Sequence, residues 1–163
     1  MSTDLVINIS LSHQTLVLKS NEEEIGRYVV STATKGAGEC NGSNQTPRGS
    51  HIIRAKIGAG HAENTVFRGR RPTGEIYTPA LGAAYPGRDW ILTRILWLSG
   101  CEVGRNRLGG VDTMRRYIYI HGSPDSAEMG KPGSIGCVRM RNRDIMELFD
   151  MVVPGTPVLI SED

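Results

Sequence analysis

Leu5, Ile7, Ile9 and Leu11 alternate along the first segment, the period-two pattern of a strand with one buried face. Leu16–Lys19 predicts a second strand and the polar stretch Ser20–Glu24 a turn. Ile25–Ser31, with Tyr28, Val29 and Val30, predicts a third strand. Short strands joined by polar turns make an antiparallel meander. Residues 35–50 are rich in Gly, Ser and Asn and predict a loop. His51–Ile57 resumes as a strand. Gly and Pro then crowd residues 58–87, which predicts mostly irregular chain with a short strand near Glu75–Tyr77.

Trp90–Leu98 is strongly apolar and fits either a buried strand or a short helix. Its isoleucines, threonine and two tryptophans favour the strand. Arg115–Ile120 predicts another strand, running straight into His121 and Gly122. Ser123–Ile135 is a polar loop. Asn142 is placed to cap a helix, with Asp144 in its first turn. Ile145, Leu148, Phe149 and Val152 follow at helical spacing and form one apolar stripe. Pro154 and Gly155 end that helix, and Pro157–Ile160 predicts a last strand.

Composition sharpens this picture. Hydrophobic residues make up 39% of the 163 positions and charged residues 22%, which excludes wholesale disorder. Twenty glycines exceed the average share and suit a turn-rich β protein rather than a helical bundle. The length and the lack of a linker or repeat predict one domain over residues 1–163. Nineteen basic against seventeen acidic side chains is too balanced to point to nucleic acid. No apolar run approaches a membrane span. The N-terminus has neither a basic segment nor an unbroken apolar one, so the sequence as written predicts no signal peptide and a cytoplasmic location. A leader upstream of Met1 reverses that expectation to the periplasm.

Three cysteines, Cys40, Cys101 and Cys137, cannot all pair within one chain and show no CxxC spacing. That argues against a disulfide framework and a cysteine-rich metal site. The informative stretch runs from His121 to Met140. His121 stands at a strand end. Sixteen residues later Cys137 follows Ser-x-Gly and precedes a helix by a few residues. A thiol needs help to ionise near neutral pH, and an imidazole, the adjacent Arg139 and oriented amides supply it. Gly136 permits a tight turn beside the sulfur and leaves the amides of Gly136 and Cys137 to face a developing oxyanion. These are the parts of a cysteine-dependent acyl transferase.

Ser134-Ile-Gly-Cys137-Val-Arg139-Met140, preceded by His121-Gly122, resembles the active-site signature of the L,D-transpeptidase (YkuD-type) catalytic domain. Val30-Ser-Thr32 after a meander and Thr46-Pro-Arg-Gly49 before a strand match that domain's pattern as well. Residues 58–115 match least securely. The resemblance implies a mainly β, sandwich-like domain with a short helix after the catalytic cysteine. It implies attack on the bond between the third residue, usually meso-diaminopimelate, and D-alanine at position four of a peptidoglycan stem peptide. The cysteine forms a thioester. An amine acceptor then gives a cross-link, and water gives carboxypeptidase action. With a cytoplasmic location, the expected reaction is L,D-carboxypeptidase trimming of muropeptides. The alternatives are periplasmic cross-linking or D-amino-acid exchange and, in another class, a non-catalytic peptidoglycan-binding module.

By the same resemblance Cys137 matches the nucleophile and His121 the base. Gly122 matches the position whose carbonyl orients the imidazole. Gly136 and Cys137 match the oxyanion amides, and Ser134 and Arg139 the supporting positions. Arg139 either fixes the loop or binds a substrate carboxylate. Ile135 stands where many members carry His, which removes any polar contact of that side chain. No cofactor is implied, and a covalent β-lactam adduct on Cys137, from carbapenems above all, is. Elsewhere the ordinary expectations hold: Cys40 and Cys101 as small buried side chains, with Cys40 in a loop that can border the site, and His13, His51 and His61 as structural. Arg94, Arg115 and Arg116 are expected on solvated strand faces, and Trp90 and Trp97 in packing. Residues 58–87 are either a lid or a rim.

Overall fold

A computed structural model describes residues 4–163. The N-terminal segments form β1 (Leu5–Ser10), β2 (Thr15–Ser20) and β3 (Glu23–Ser31), paired as the predicted antiparallel meander. Ile7 and Ile9 of β1 are fully buried. Burial stabilises each such side chain by about 1.5–3 kcal/mol. β4 (Gly49–Ile57), β5 (Thr65–Arg68) and β6 (Arg71–Ile76) follow, then a short helix α1 (Pro79–Ala84) and β7 (Ile91–Gly100). The chain ends with β8 (Tyr119–Ser123), β9 (Val138–Arg141), helix α2 (Asn142–Met151) and β10 (Pro157–Ser161).

The strands form one sheet in the order β4-β10-β1-β2-β3-β9-β8-β7-β5-β6, and β4 also pairs with β7. The sheet therefore closes on itself, and the β5–β6 hairpin branches from β7. The fold is mainly β, as the sequence predicts. The apolar stripe of α2 supplies Ile145, Leu148, Phe149 and Val152 to the main core, where they meet Ile7, Leu18, Leu96, Ile120 and Met140. Lys56 anchors the far end of α2, donating from Nζ to the Val152 carbonyl at 2.8 Å, where a cation suits the helix C-terminus.

Several expectations are corrected. Residues 58–87 hold two strands and a helix, because the glycines mark the turns between short elements rather than a lack of them. The hairpin turns at Gly69 and Arg70, both at positive φ. α1 starts with Thr78, whose Oγ1 accepts from the Leu81 amide at 3.1 Å, and with Pro79 in its first turn. That Thr-Pro signal is readable in the sequence. Residues 115–118 turn instead of extending. Asp112 accepts from the Leu108 and Arg115 amides at 2.6 and 2.9 Å, and Tyr117 sits at φ 56°. The strand therefore begins at Tyr119. Asn142 starts α2 but does not cap it, since its side chain is drawn into a buried network described below. Cys40 and Cys101 are exposed rather than buried, both lying outside the strands and helices.

His51 has the structural role expected of it. It is buried, its Nδ1–H donates to the Gly49 carbonyl, and Nε2 accepts from the Thr113 hydroxyl, each at 3.0 Å. Burial pushes its pKa down to about 4. The unfolded chain takes this proton near pH 6.5 and the folded chain does not, so stability is full above 6.5 and falls toward pH 4. The expected loss from His51 is about 3 kcal/mol by pH 4. Urea unfolding at a series of pH values checks this, and a flat profile across that window contradicts it.

Candidate active site

β8 and β9 are parallel, with Ile120 beside Val138 and His121 beside Arg139. Ile120, Val138 and Met140 point into the main core. The alternate positions, Tyr119 and His121 on β8 with Cys137 and Arg139 on the neighbouring chain, therefore share the other face. Cys137 packs there with Phe67, Ile95 and Tyr119. The loop between the two strands thus brings the candidate nucleophile and base to adjacent rows of one sheet.

The Cys137 sulfur is half-buried. It accepts from the Tyr119 amide at 3.3 Å and donates its proton to the Tyr117 carbonyl at 3.4 Å. Burial pushes the thiol pKa up to about 12, against the opposing pull of the Tyr119 amide and the Arg139 and Arg116 charges. The His121 ring is fully buried, and burial pushes its pKa down. Both shifts favour the neutral thiol and the neutral imidazole at rest. Nδ1 lies 2.6 Å from the Gly122 carbonyl. A carbonyl only accepts, so Nδ1 carries the proton and Nε2 is the bare base. Nε2 is buried with no hydrogen-bond partner among the described residues. Such an orphan atom is costly unless it has a task.

This neutral resting pair has a test. In a protein with Cys40 and Cys101 replaced by Ser, alkylation of Cys137 by iodoacetamide should rise about tenfold per pH unit from 7 to 10. A plateau near pH 7 would show a thiolate–imidazolium pair instead.

The turn before the sulfur is held by Ser134, which donates to the Cys137 carbonyl at 2.6 Å and accepts from the Gly136 amide at 3.2 Å. The Gly136 amide is therefore engaged, which corrects the expectation that it is free to meet an oxyanion. Gly136 adopts φ 136°, in the region that favours glycine. Its carbonyl accepts from buried Thr46 Oγ1 at 2.9 Å, which gives Thr46-Pro-Arg-Gly49 a place behind the site. Ile135 is 60% exposed and makes no polar contact.

Arg139 makes contacts that fix the loop. It donates to the Gly133 carbonyl at 2.9 Å and pairs with Asp89 at 3.1 Å. Beyond it opens a cavity of about 510 Å³, lined in part by Tyr77, Arg88, Trp90, Ser123, Ser126 and Arg139. Tyr77 meets Trp90 edge to face at 5.0 Å, and Arg88 lies 4.4 Å over the Trp90 ring while pairing with Glu75. Residues of the 58–87 stretch thus form one wall of this cavity. Arg94 is buried against the His61 and Thr93 carbonyls, and Arg116 donates to the Gln45 carbonyl at 2.6 Å, so neither lies on a solvated face. Among the described residues no three His, Cys, Asp or Glu side chains gather to hold a metal.

Behind His121 lies a network that sequence reasoning missed. Thr93 donates to Asn142 Oδ1 and Asn142 Nδ2 donates to Asn64 Oδ1, each at 2.7 Å. The Asn64 amide closes the circuit on Thr93 Oγ1 at 3.0 Å. Thr93 adopts φ 75°, a strained choice for a β-branched residue. Asn142 Oδ1 fills the space that a side chain at Gly122 would need, and Gly122 is the residue whose carbonyl holds His121. Nothing in the local sequence distinguishes such an asparagine from a helix cap.

A thiol and a bare imidazole nitrogen thus lie on the same face of a closed β sheet. The L,D-transpeptidase catalytic domain model matches residues 4–160, and the chain belongs to this YkuD family. The putative L,D-transpeptidase YqjB of Bacillus subtilis is 26% identical over 98% of this chain and 71% of its own length. The L,D-transpeptidase (residues 123–326) of Xylanimonas cellulosilytica superposes with a TM-score of 0.61 at 20% identity, over 99% of this chain and 62% of that one. L,D-transpeptidase 3 of Mycobacterium tuberculosis, in complex with a faropenem-derived adduct, gives 0.61 at 15% identity over 98% and 60%. The chain thus spans about three fifths of these solved chains. No helix among the described residues is long and apolar enough to cross a membrane.

Proposed function

We propose that this domain is a cysteine-dependent acyl-transfer enzyme acting on peptidoglycan stem tetrapeptides. The observation that carries the reading is the unpartnered His121 Nε2, buried on the same face as the Cys137 thiol. Substrate binding turns the thiol proton from the Tyr117 carbonyl to Nε2. The sulfur then attacks the carbonyl carbon of the third residue. The Gly122 carbonyl stabilises the imidazolium that forms. The imidazolium returns its proton to the departing D-alanine amine, leaving a thioester on Cys137. The same imidazole then takes a proton from the acceptor, which attacks the thioester, and returns that proton to the departing sulfur as the thiol is freed.

Water as acceptor makes the enzyme an L,D-carboxypeptidase, and this is the reading we adopt, with muropeptides in the cytoplasm as its substrates. An amine acceptor makes it a transpeptidase. The family name favours this second reading. Mass spectrometry of a disaccharide-tetrapeptide incubated with the enzyme, with and without a D-amino acid, separates them. Loss of alanine without acceptor supports the hydrolase. Exchange or dimer formation without net trimming replaces it with the transpeptidase. No reaction in either arm overturns the acyl-transfer reading. Fractionation of the native host tests the location, and a periplasmic pool overturns the cytoplasmic part.

A further inference from the structure

On the Tyr119 side of Cys137, away from the cavity, lies a cluster that the mechanism above does not use. The Arg70 guanidinium stands 4.7 Å over the Trp97 ring and 4.7 Å over the Tyr117 ring. Its Nη1 donates to the Tyr119 hydroxyl at 3.1 Å. Arg54 approaches the same Trp97 ring at 5.4 Å. Trp97 is itself fixed by its indole N–H, which donates to the Met114 carbonyl at 3.1 Å. Arg70 and Tyr117 both adopt positive φ, at 64° and 56°.

Two features make the cluster more than packing. Neither Arg70 nor Arg54 pairs with a carboxylate among the described residues, whereas Arg88 is matched by Glu75 and Arg139 by Asp89. And the residues that hold the guanidinium also hold the sulfur, through the Tyr117 carbonyl and the Tyr119 amide. A guanidinium has five N–H donors and Arg70 uses one within the protein, leaving a fork that suits a carboxylate. Stacking on the rings orders the side chain before any ligand arrives, so little conformational freedom is lost on binding.

We propose that Arg70, braced by Trp97, Tyr117 and Tyr119, is a carboxylate-binding subsite that holds the peptide substrate beside Cys137. The inference rests on the proposed function for the identity of that peptide. A stem tetrapeptide offers two such groups, the side-chain carboxylate of its third residue and its C-terminal carboxylate.

The experiment measures calorimetric binding of the tetrapeptide to Cys137→Ala and to Cys137→Ala/Arg70→Gln, with wild-type turnover followed alongside. Peptides amidated at one carboxylate or the other form two further arms. The expected result is binding at least tenfold weaker with Arg70→Gln and partly restored with Arg70→Lys. Amidation of the engaged carboxylate should weaken binding to Cys137→Ala by a similar factor and erase the effect of Arg70→Gln, which tells the two carboxylates apart. Equal binding with and without Arg70, or no measurable binding to either protein, overturns the subsite. An equal loss for both amidated peptides marks Arg70 as merely structural and overturns it too. Failure of wild-type turnover with the Arg70 dependence of binding intact counts against the proposed function alone.

Discussion

Cys137→Ala is expected to abolish turnover while leaving the fold in place. The sulfur's two hydrogen bonds, at 3.3 and 3.4 Å, are long contacts with backbone groups of Tyr119 and Tyr117. The residue is half-buried at the edge of a cluster centred on Phe67, Ile95 and Tyr119, so truncation leaves no deep cavity. Stability should change by about 1 kcal/mol or less, in the range of mild substitutions. Activity should fall by about 10⁴-fold or more, because no other group on the face replaces the nucleophile. Intact mass gives a second reading. A carbapenem should add its mass once to the wild type by ring opening on the sulfur, and not to Cys137→Ala. An alanine variant that still turns over tetrapeptide would falsify the assignment of Cys137.

Gly122→Ala should do damage of a different kind. A methyl at Gly122 would press into Asn142 Oδ1 and stand 2.6 Å from the Leu92 carbonyl and 3.1 Å from Thr93 Cβ. One of these neighbours is backbone and the other two belong to a buried hydrogen-bonded network, so the β8 backbone itself must yield. Overpacking of this type costs about 1–3 kcal/mol, and disruption of the Thr93–Asn142–Asn64 circuit adds to it. The thermal midpoint should drop by about 5–10 °C for a chain of this size. The Gly122 carbonyl moves with its α-carbon, and His121 turns with the carbonyl. Misplacement of a catalytic group by about 1 Å costs on the order of 10²-fold, so the rate measured well below the midpoint should fall by at least that much. Gly110→Ala is the control, since a methyl there meets open space. Wild-type rate in Gly122→Ala would mean that His121 is held by something other than this carbonyl.

The candidate site is legible in the sequence because its residues sit in one short stretch. His121-Gly122 and Ser134-x-Gly-Cys137 stand within 17 residues, and the strand that carries His121 announces itself by its β-branched and aromatic residues. The meander was legible for the same reason, since its pairings are between neighbours. What was not legible depends on distance. Arg70 reaches Trp97, Tyr117 and Tyr119 only because the β5–β6 hairpin pairs with β7. Asn142 looked like a cap because the local rule for asparagine before a helix is sound. A partner 49 residues away, Thr93, outbid that rule. Residues 115–118 looked like strand from their side chains, while Asp112 had already committed their backbone to a turn.

The closed sheet has a consequence for how the protein comes to exist. β10 lies between β1, which it pairs in parallel, and β4, and it is the last strand of the ring to be synthesised. Until it leaves the ribosome, β1 and β4 carry bare edges that face each other across a gap. Translation at about 5–20 residues per second leaves those edges open while the rest of the sheet waits. Bare edges invite pairing with other chains, so a nascent chain stalled before Pro157 is a candidate for chaperone capture. The strand that closes the sheet carries none of the chemistry, yet the ring that holds Cys137 is joined only when β10 pairs with β1 and β4.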